Sequence, residues 1–328
     1  MTPDIVEIAA QELAFRTQGC VMDNPEPGPF TYSSKDPDDH DHSQGGPGIA
    51  QNRLRAFHNI VAGFGLQLTV RCDFRDCQNA IDRGPIVTFN RVVGAKNYLL
   101  TPLMPYYHGL QSYTFRTDPP DPIPFAEKAD SVFWRGFFSG HYLEDGLYKT
   151  IGTLVERIKH NETDAFEAVQ QTSRFRLCTL SRKKDWLDAS YCELEKVDLH
   201  DHPLVENLQS HPVGKKAHFK HKYLIAATGN DYASSLPWML NTNCLVLAET
   251  PVHHTYLNAH FKPWEHFVPV DRGFGNLEER FEWCRENQTE CEAIITRANA
   301  RHAIISTPEY RDFTDGQFLA YIGAKPAA

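Results

Sequence analysis

The segment from Tyr223 to Trp238, YLIAATGNDYASSLPW, joins a short apolar run to a helix start through a polar loop. Gly229 follows the run, and Ser234 and Ser235 stand just before Pro237. Ser is a favoured helix N-cap, and Pro fits the first helical turn because its missing N–H leaves no bond unmade. A strand–Gly–Ser–helix unit suits a phosphate, because it presents free backbone N–H groups and the positive end of a helix. An ordinary capped helix gives the same pattern, and both interpretations stay open.

Arginines strengthen the anion-site interpretation. Arg135 and Gly136 end the apolar run SVFW, so we expect the Arg135 side chain at the carboxyl end of a strand, where open α/β sheets bind ligands. Three more arginines cluster in SRFRLCTLSR: Arg174, Arg176 and Arg182. Arg binds phosphate through paired hydrogen bonds. Surface ion pairing with the many carboxylates of this chain is the alternative.

Asp76 is the candidate general base. It closes the alternating run Leu66, Leu68, Val70, Cys72, Phe74, which predicts a half-buried strand ending near residue 76. A carboxylate at a strand end beside a crevice can take a proton from a hydroxyl group. A turn-capping Asp would look the same, and Asp73 is the rival candidate.

Two further segments carry residues able to bind ligands. The loop Asp36–Ser43, DPDDHDHS, offers His40, His42 and several carboxylates to a metal, but its spacing matches no established site, which favours a solvated acidic loop. It belongs to a loop rich in Pro, Gly and Ser from Asn24 to Pro47. Aromatic side chains in LMPYYHGLQSYTF (Tyr106, Tyr107, His108, Tyr113) either stack on a sugar or pack in a core or interface.

The elements that must position these residues alternate between strands and helices. PIVTF (residues 85–89), SVFW, YLIAA, CLVL (244–247) and FVPV (267–270) read as short strands. Helical spacing runs from Ile151 to Ile158, and a long amphipathic helix is predicted from Leu277 to Ala298. The breaker-rich stretch Arg116–Phe125 reads as a linker. Such alternation predicts a mainly parallel α/β sheet.

Composition excludes several classes. The chain has 328 residues and a formal net charge of −9, which disfavours non-specific nucleic-acid binding. No run approaches the roughly 20 apolar residues of a membrane span, and the N-terminus lacks the basic region of a secretory signal. We therefore expect a cytoplasmic protein with its 8 cysteines reduced.

Longer motifs resemble glycosyltransferase family 90. HKYLIAATGNDYASSLPWMLNTNCLVL and FKPWEHFVPVDRGFGNLEERFEWCREN carry the resemblance most strongly. Upstream, VFWRG, SRFRLCTLSR and DFRDCQN followed by PIVTFNR resemble further family elements. The resemblance covers residues 66 to 305, and the bacterial branch is the most similar. Several eukaryotic members carry an Arg shortly after the loop Ser, where this chain has Pro237.

The resemblance implies a GT-B-like architecture, with two Rossmann-like domains and a cleft between them. We expect an N-terminal acceptor-side domain over 1–120, a donor domain over 121–305 and a tail over 306–328 that packs back on the N-terminal domain. It further implies an inverting hexosyl- or pentosyltransferase that uses a UDP-sugar, with no tightly bound cofactor and no required metal. The expected acceptor is lipopolysaccharide or another surface glycan, at the cytoplasmic face of the membrane or in the cytoplasm.

The resemblance assigns roles to particular residues. Asp76 is the expected catalytic base, and its register in the alternating strand favours it over Asp73. The expected donor-binding residues are Arg135, Gly136, Arg174, Gly229, Asn230, Asp231, Ser234 and Ser235. Two alternatives stay open: a glycan- or nucleotide-sugar-binding protein without catalysis on the same fold, and a metal-dependent hydrolase built on His40 and His42.

Overall fold

The computed structural model describes residues 2–18, 20, 31–33, 49–77, 79, 85–102, 120–323 and 325–326. The helices in these ranges are α1 (Pro3–Arg16), α2 (Ile49–Gly63), α3 (Val155–Lys159), α4 (Thr163–Gln170), α5 (Ser173–Ser181), α6 (Lys215–His218), α7 (Leu236–Met239), α8 (Leu277–Glu286), α9 (Gln288–Ile305) and α10 (Pro308–Tyr321). The strands are β1 (Thr31–Ser33), β2 (Leu66–Gln67), β3 (Thr69–Arg71), β4 (Ile86–Thr88), β5 (Arg91–Val92), β6 (Tyr98–Leu100), β7 (Ala129–Gly136), β8 (His141–Glu144), β9 (Leu147–Thr150), β10 (Leu187–Tyr191), β11 (His221–Ala226), β12 (Leu245–Glu249), β13 (His253–His254), β14 (Val268–Val270) and β15 (Lys325–Pro326).

The chain divides into two compact units. The first unit comprises Met1–Thr117, His253–His260 and Ala303–Ala328, and the second comprises Asp118–Val252 and Phe261–His302. None of the helices in the described part of the chain is both long and apolar enough to cross a lipid bilayer.

The second unit is built on a five-stranded parallel sheet in the order β10-β7-β11-β12-β14. This confirms the parallel α/β prediction. Val132 and Trp134 on β7 join one apolar cluster, while the intervening Phe133 is buried outside that cluster. Both faces of the sheet are therefore covered, as a parallel sheet requires.

The first unit holds smaller sheets. β4 pairs with β6 in parallel, β3 pairs with β1 antiparallel, and a single parallel bridge joins Cys72 to Val87. The predicted apolar face is confirmed, since Leu68, Val70, Cys72 and Phe74 are all buried. The strand itself ends earlier than predicted, because ladder pairing stops at Cys72 and residues 73–75 continue without it.

A buried ionic cluster fastens the two ends of the chain within this unit. The Glu12 carboxylate of α1 accepts hydrogen bonds from Arg16, from Tyr310 and Arg311 of α10, and from His260. All five side chains are at most 1% exposed. Buried charges persist only when they are paired and hydrogen-bonded, so the cluster fixes how α1 and α10 pack.

The long helix predicted from Leu277 to Ala298 is wrong in one respect, because it breaks at Asn287 into α8 and α9. The Asn287 side chain donates to the Trp283 carbonyl at 2.8 Å, a local bond that competes with the helical backbone. The predicted apolar positions are nevertheless buried on both sides of the break. Likewise, the helix predicted from Ile151 begins as a 3₁₀ turn over Ile151–Leu154 before α3.

Candidate functional site

The order of the parallel strands marks one place in the second unit. Along the chain, β7 is followed by β10 on one side, and the later strands β11, β12 and β14 are added on the other. The connections therefore reverse direction between β7 and β11, and in open α/β sheets ligands bind at the carboxyl ends of the strands at such a reversal. The residues there are Arg135 and Gly136 on β7 and Ala227 to Gly229 after β11.

Arg174 ties these two strand ends together. Its Nη1 donates to the Phe137 carbonyl at 3.0 Å and to the Ser139 hydroxyl at 2.5 Å, and its Nη2 donates to the Ala227 carbonyl at 3.2 Å. Gly229 packs against it, since a Cβ at that position would lie 2.9 Å from Nη2. Arg174 thus lies between the ends of β7 and β11, and its two Nη groups are directed at the protein's own oxygens.

Arg135 is also engaged. Its guanidinium forms an ion pair with the exposed Asp188 of β10, with Nη1 to Oδ1 at 2.8 Å and Nη2 to Oδ2 at 2.9 Å. Gly136 beside it has no room for a side chain, because a Cβ would lie 2.2 Å from the Trp134 ring. The Arg135 side chain is 10% exposed and its partner Asp188 is 52% exposed, so a bound anion would take the place of Asp188 at the guanidinium.

The loop after β11 is held by buried polar groups. Glu249, at the end of β12, accepts from the Thr228 N–H at 2.9 Å, from the Gly273 N–H at 3.0 Å and from the Ser173 hydroxyl. Asn230 accepts from the Gly140 N–H at 3.2 Å. One carboxylate thereby connects the loop after β11, the start of α5 and the turn after β14.

The remaining loop residues differ in exposure. Asp231 is buried and accepts from the Tyr232 N–H at 2.8 Å, whereas Ser234 is exposed and Ser235 is half-buried. Ser235 occupies the N-cap of α7 as predicted, but its side chain makes no capping bond. Its backbone is already near helical angles, at φ −81° and ψ −20°, whereas a capping side chain needs the extended backbone of a true N-cap.

Arg272, in the turn after β14, reaches the same edge of the sheet. Its Nη2 lies 2.9 Å from Nε2 of His141, whose Nδ1 lies 3.2 Å from the Gly229 carbonyl. Burial, followed by the charge of Arg272, lowers the pKa of His141 to about 4. The ring is therefore neutral at pH 7, so its Nδ1–H donates to Gly229 and its Nε2 accepts from Arg272.

Asp76 lies in the first unit and is about a quarter exposed, with its side chain at 24%. Its Oδ1 accepts from Nη1 of Arg53 at 2.7 Å, and the same nitrogen donates to the Phe74 carbonyl at 2.7 Å. Asp73 is buried and accepts two bonds from the Arg75 side chain at 3.0 and 2.7 Å. Asp73 is thus buried, whereas part of the Asp76 side chain is accessible to solvent.

Sequence reasoning missed Glu249, His141 and Arg272. Glu249 is the last residue of an otherwise apolar strand, LVLAE. A charged residue at the end of such a strand could have indicated a functional or structural role. No local pattern indicated that His141 and Arg272 are partners, because 131 residues separate them along the chain.

Two predicted ligand segments, Asp36–Ser43 and Tyr106–Tyr113, lie outside the described residues. Within the ranges that are described, no group of three or more His, Cys, Asp or Glu side chains is arranged to hold a metal ion.

Comparison with known proteins finds similarity to one family of glycosyl transferases. Residues 166–303 match the model of glycosyl transferase family 90. Mouse protein O-glucosyltransferase 3 is 33% identical over 76 residues, 23% of this chain and 15% of that protein. The O-glucosyltransferase LpsA of Dichelobacter nodosus is 27% identical over 95 residues, 29% of this chain and 30% of that protein.

These alignments are partial. The aligned segments span less than a third of either relative. The family match includes Arg174, Gly229, Glu249 and Arg272 and begins after β7. The match to glycosyl transferase family 90 over residues 166–303 confirms, in that part of the chain, the resemblance that the motifs indicated.

Proposed function

We propose that this protein transfers a sugar from a nucleotide-sugar donor to a hydroxyl group of a glycan acceptor. One observation carries the proposal: the segment that matches family 90 supplies β11 and its loop, one side of the strand reversal of a parallel sheet, and arginines gather at that reversal. Arg135, Arg174 and Arg272 all lie at this edge. A departing diphosphate needs fixed positive groups of this kind.

The finer proposal is an inverting reaction with a UDP-sugar. The acceptor oxygen attacks the anomeric carbon, and the bond from that carbon to the diphosphate oxygen breaks with its electron pair leaving on UDP. The hydroxyl proton passes to a carboxylate, for which we propose Asp76. Arg135, Gly136, Arg174 and the loop Gly229–Ser235 (Gly229, Asn230, Asp231, Ser234, Ser235) form the proposed donor-binding set.

Further parts of the proposal follow from the family resemblance. They are a GT-B arrangement of two Rossmann-like domains, a lipopolysaccharide or other surface-glycan acceptor, a cytoplasmic location that extends to the membrane surface, and transfer without a required metal. The relative LpsA is named an O-glucosyltransferase, which supports glucose as the first sugar to test. Treatment with EDTA tests the metal part: we expect most of the activity to remain, and a large loss that added metal restores would contradict it.

The deciding experiment measures binding and turnover together. UDP affinity is measured by calorimetry, and UDP release is measured with UDP-glucose, UDP-galactose, UDP-xylose and the N-acetyl sugars. We expect UDP to bind and one donor to be hydrolysed well above the others. Absence of binding to UDP and to every UDP-sugar would contradict the proposal.

The Arg53–Asp76 ion pair supports one alternative, a binding protein without catalysis. The bond from Arg53 at 2.7 Å places one Asp76 oxygen in an ion pair, a structural role that does not require catalysis. The alternative predicts UDP binding with no hydrolysis of any donor and no transfer to added glycans. The same two measurements therefore separate the two functions.

A further inference from the structure

The backbone around Arg272 is fixed from two directions. The Gly273 N–H donates to the buried carboxylate of Glu249 at 3.0 Å, and the Asp271 N–H donates to the Asn276 side chain at 2.8 Å. Gly273 has φ +75°, a left-handed angle that favours glycine, and a Cβ there would lie 2.8 Å from the Arg176 side chain. Arg272 therefore leaves the sheet edge from a tightly specified turn.

Its guanidinium is held by a separate element, the hairpin of β8 and β9. His141 of β8 accepts from Nη2 at 2.9 Å, and the Tyr148 ring of β9 has its centroid 5.8 Å from Cζ. His141 and Tyr148 also contact each other edge to face, with centroids 5.3 Å apart. The hairpin thus gives the arginine one hydrogen-bond acceptor and one aromatic face.

No partner within the described ranges neutralises this charge. Arg272 is exposed, and its polar contact among the described residues is the uncharged His141. Arg135 differs because it is paired with Asp188, and Arg174 differs because its donors are directed at backbone and hydroxyl oxygens. An oriented arginine with an uncharged partner keeps its full charge and its remaining donors for an anion.

We propose that Arg272 is a phosphate-binding residue of this site, held in place by the positioning residue His141, and that it contacts the diphosphate of the nucleotide-sugar donor. The nucleotide part of this inference rests on the proposed function. The anion part rests on the geometry of Arg272 alone. During transfer, the same guanidinium would stabilise the negative charge that develops on the leaving diphosphate.

The test compares Arg272→Ala with Arg285→Ala in the full-length protein. Arg285 is a matched control, because it is exposed and pairs with Asp130 near the amino end of β7, at the opposite edge of the sheet. Calorimetry measures the affinity of each protein for UDP, UMP, uridine and inorganic pyrophosphate. We expect Arg272→Ala to bind UDP and pyrophosphate about 10-fold more weakly, with uridine unchanged and Arg285→Ala like wild type.

Each outcome decides the proposal. Equal UDP affinity in wild type and Arg272→Ala overturns it and leaves the proposed function standing. If wild type binds no nucleotide, the proposed function fails, and the pyrophosphate measurement alone decides whether Arg272 binds an anion. An equal loss of uridine affinity also overturns the proposal, because it would show that Arg272 acts on the nucleoside or on the fold.

The role of His141 is tested by its replacement. Gln can accept from Arg272 and donate to the Gly229 carbonyl, whereas Phe fills the space without either bond. We expect His141→Gln to keep UDP affinity within about 3-fold of wild type and His141→Phe to lose nearly as much as Arg272→Ala. Thermal unfolding of all variants identifies any that fail to fold. If Gln and Phe bind UDP equally well, His141 does not position Arg272.

Discussion

The carboxylate of Glu249 accepts a hydrogen bond from the backbone N–H of Thr228 at 2.9 Å, which joins the end of β12 to the loop after β11. Glu249 is 5% exposed, and its other oxygen accepts from the Gly273 N–H and the Ser173 hydroxyl. Three segments that carry proposed donor-binding residues therefore meet at a single buried side chain. Its loss would leave three donors without their acceptor.

Glu249→Ala should lower the free energy of unfolding by about 3 kcal/mol or more, because each buried donor left unsatisfied costs about 1–3 kcal/mol. Urea unfolding measures this. Glu278→Ala is the control, since among the described residues Glu278 makes an exposed ion pair with Lys184, and its loss should change stability by less than about 1 kcal/mol. If the two variants are equally stable, Glu249 does not hold these segments together.

Arg174→Ala should lower both stability and UDP affinity, because it releases the ends of β7 and β11 from each other. Three hydrogen bonds are lost, so we expect about 2–4 kcal/mol in urea unfolding. Arg174→Lys should not rescue the loss, since a single ammonium cannot reproduce the guanidinium geometry. Arg135→Ala should also weaken UDP binding and should lower stability by about 1–3 kcal/mol, because this side chain is 10% exposed and donates to Asp188 and to the Trp134 carbonyl. An Arg174→Ala protein as stable as the wild type would show that Arg174 does not hold the ends of β7 and β11 together.

Asp76→Asn should keep UDP affinity and reduce sugar transfer by about 10²–10⁴-fold, the usual contribution of a general base. Transfer is followed by UDP release and binding by calorimetry. Asp73→Asn serves as the comparison: it removes the negative charge and one of the two oxygens that accept from the Arg75 side chain, so it should lose stability and far less turnover per folded molecule. Near-normal transfer by Asp76→Asn would place the base elsewhere.

Stability should fall as the pH drops from about 6.5 towards 4. Burial lowers the pKa of His141, His218 and His266 to about 4. In the unfolded chain these side chains bind protons near pH 6.5, so the unfolded state takes up protons first and is favoured in this window. The loss reaches a few kcal/mol per histidine and ends below pH 4.

Urea unfolding at pH 7.5, 6.5 and 5.5 measures the slope. His218→Gln should flatten it, whereas replacement of the exposed His211 should not. An unfolding free energy that is independent of pH from 7.5 to 5.5 would contradict burial of these histidines in their neutral form.

Glu12→Gln should destabilise the first unit by about 3–5 kcal/mol, because it leaves Arg16 and Arg311 buried with one carboxylate fewer. Burial alone would raise the pKa of Glu12, but Arg311, His260 and Arg16 hold it well below its usual range. Glu7→Gln on the same helix is the control, because Glu7 is exposed and contacts only Gln11 among the described residues. Equal stability of the two variants would show that the cluster does not fasten the chain ends.

The sequence alone determined the parallel sheet and most of its strands. Apolar runs such as YLIAA and CLVL, bounded by polar loops, are local patterns, and burial on both faces of a parallel sheet requires them. It also indicated the similarity to glycosyl transferase family 90 over residues 166–303, because the motifs around Gly229 and Pro263 are contiguous in the chain. The break at Asn287 could not be read from the apolar spacing, since that spacing continues across it.

Only the tertiary structure decided what each charged residue contacts. The sequence predicted Arg174 as a residue that binds the nucleotide-sugar donor. It did not show that the guanidinium also donates to carbonyl groups that follow two neighbouring strands. Arg272 and His141 become partners because β14 and the β8–β9 hairpin end at the same edge of the second unit, although 131 residues lie between them. Hydrogen bonds act over about 3 Å, and hydrophobic spacing carries no information about which distant polar groups folding brings within that distance.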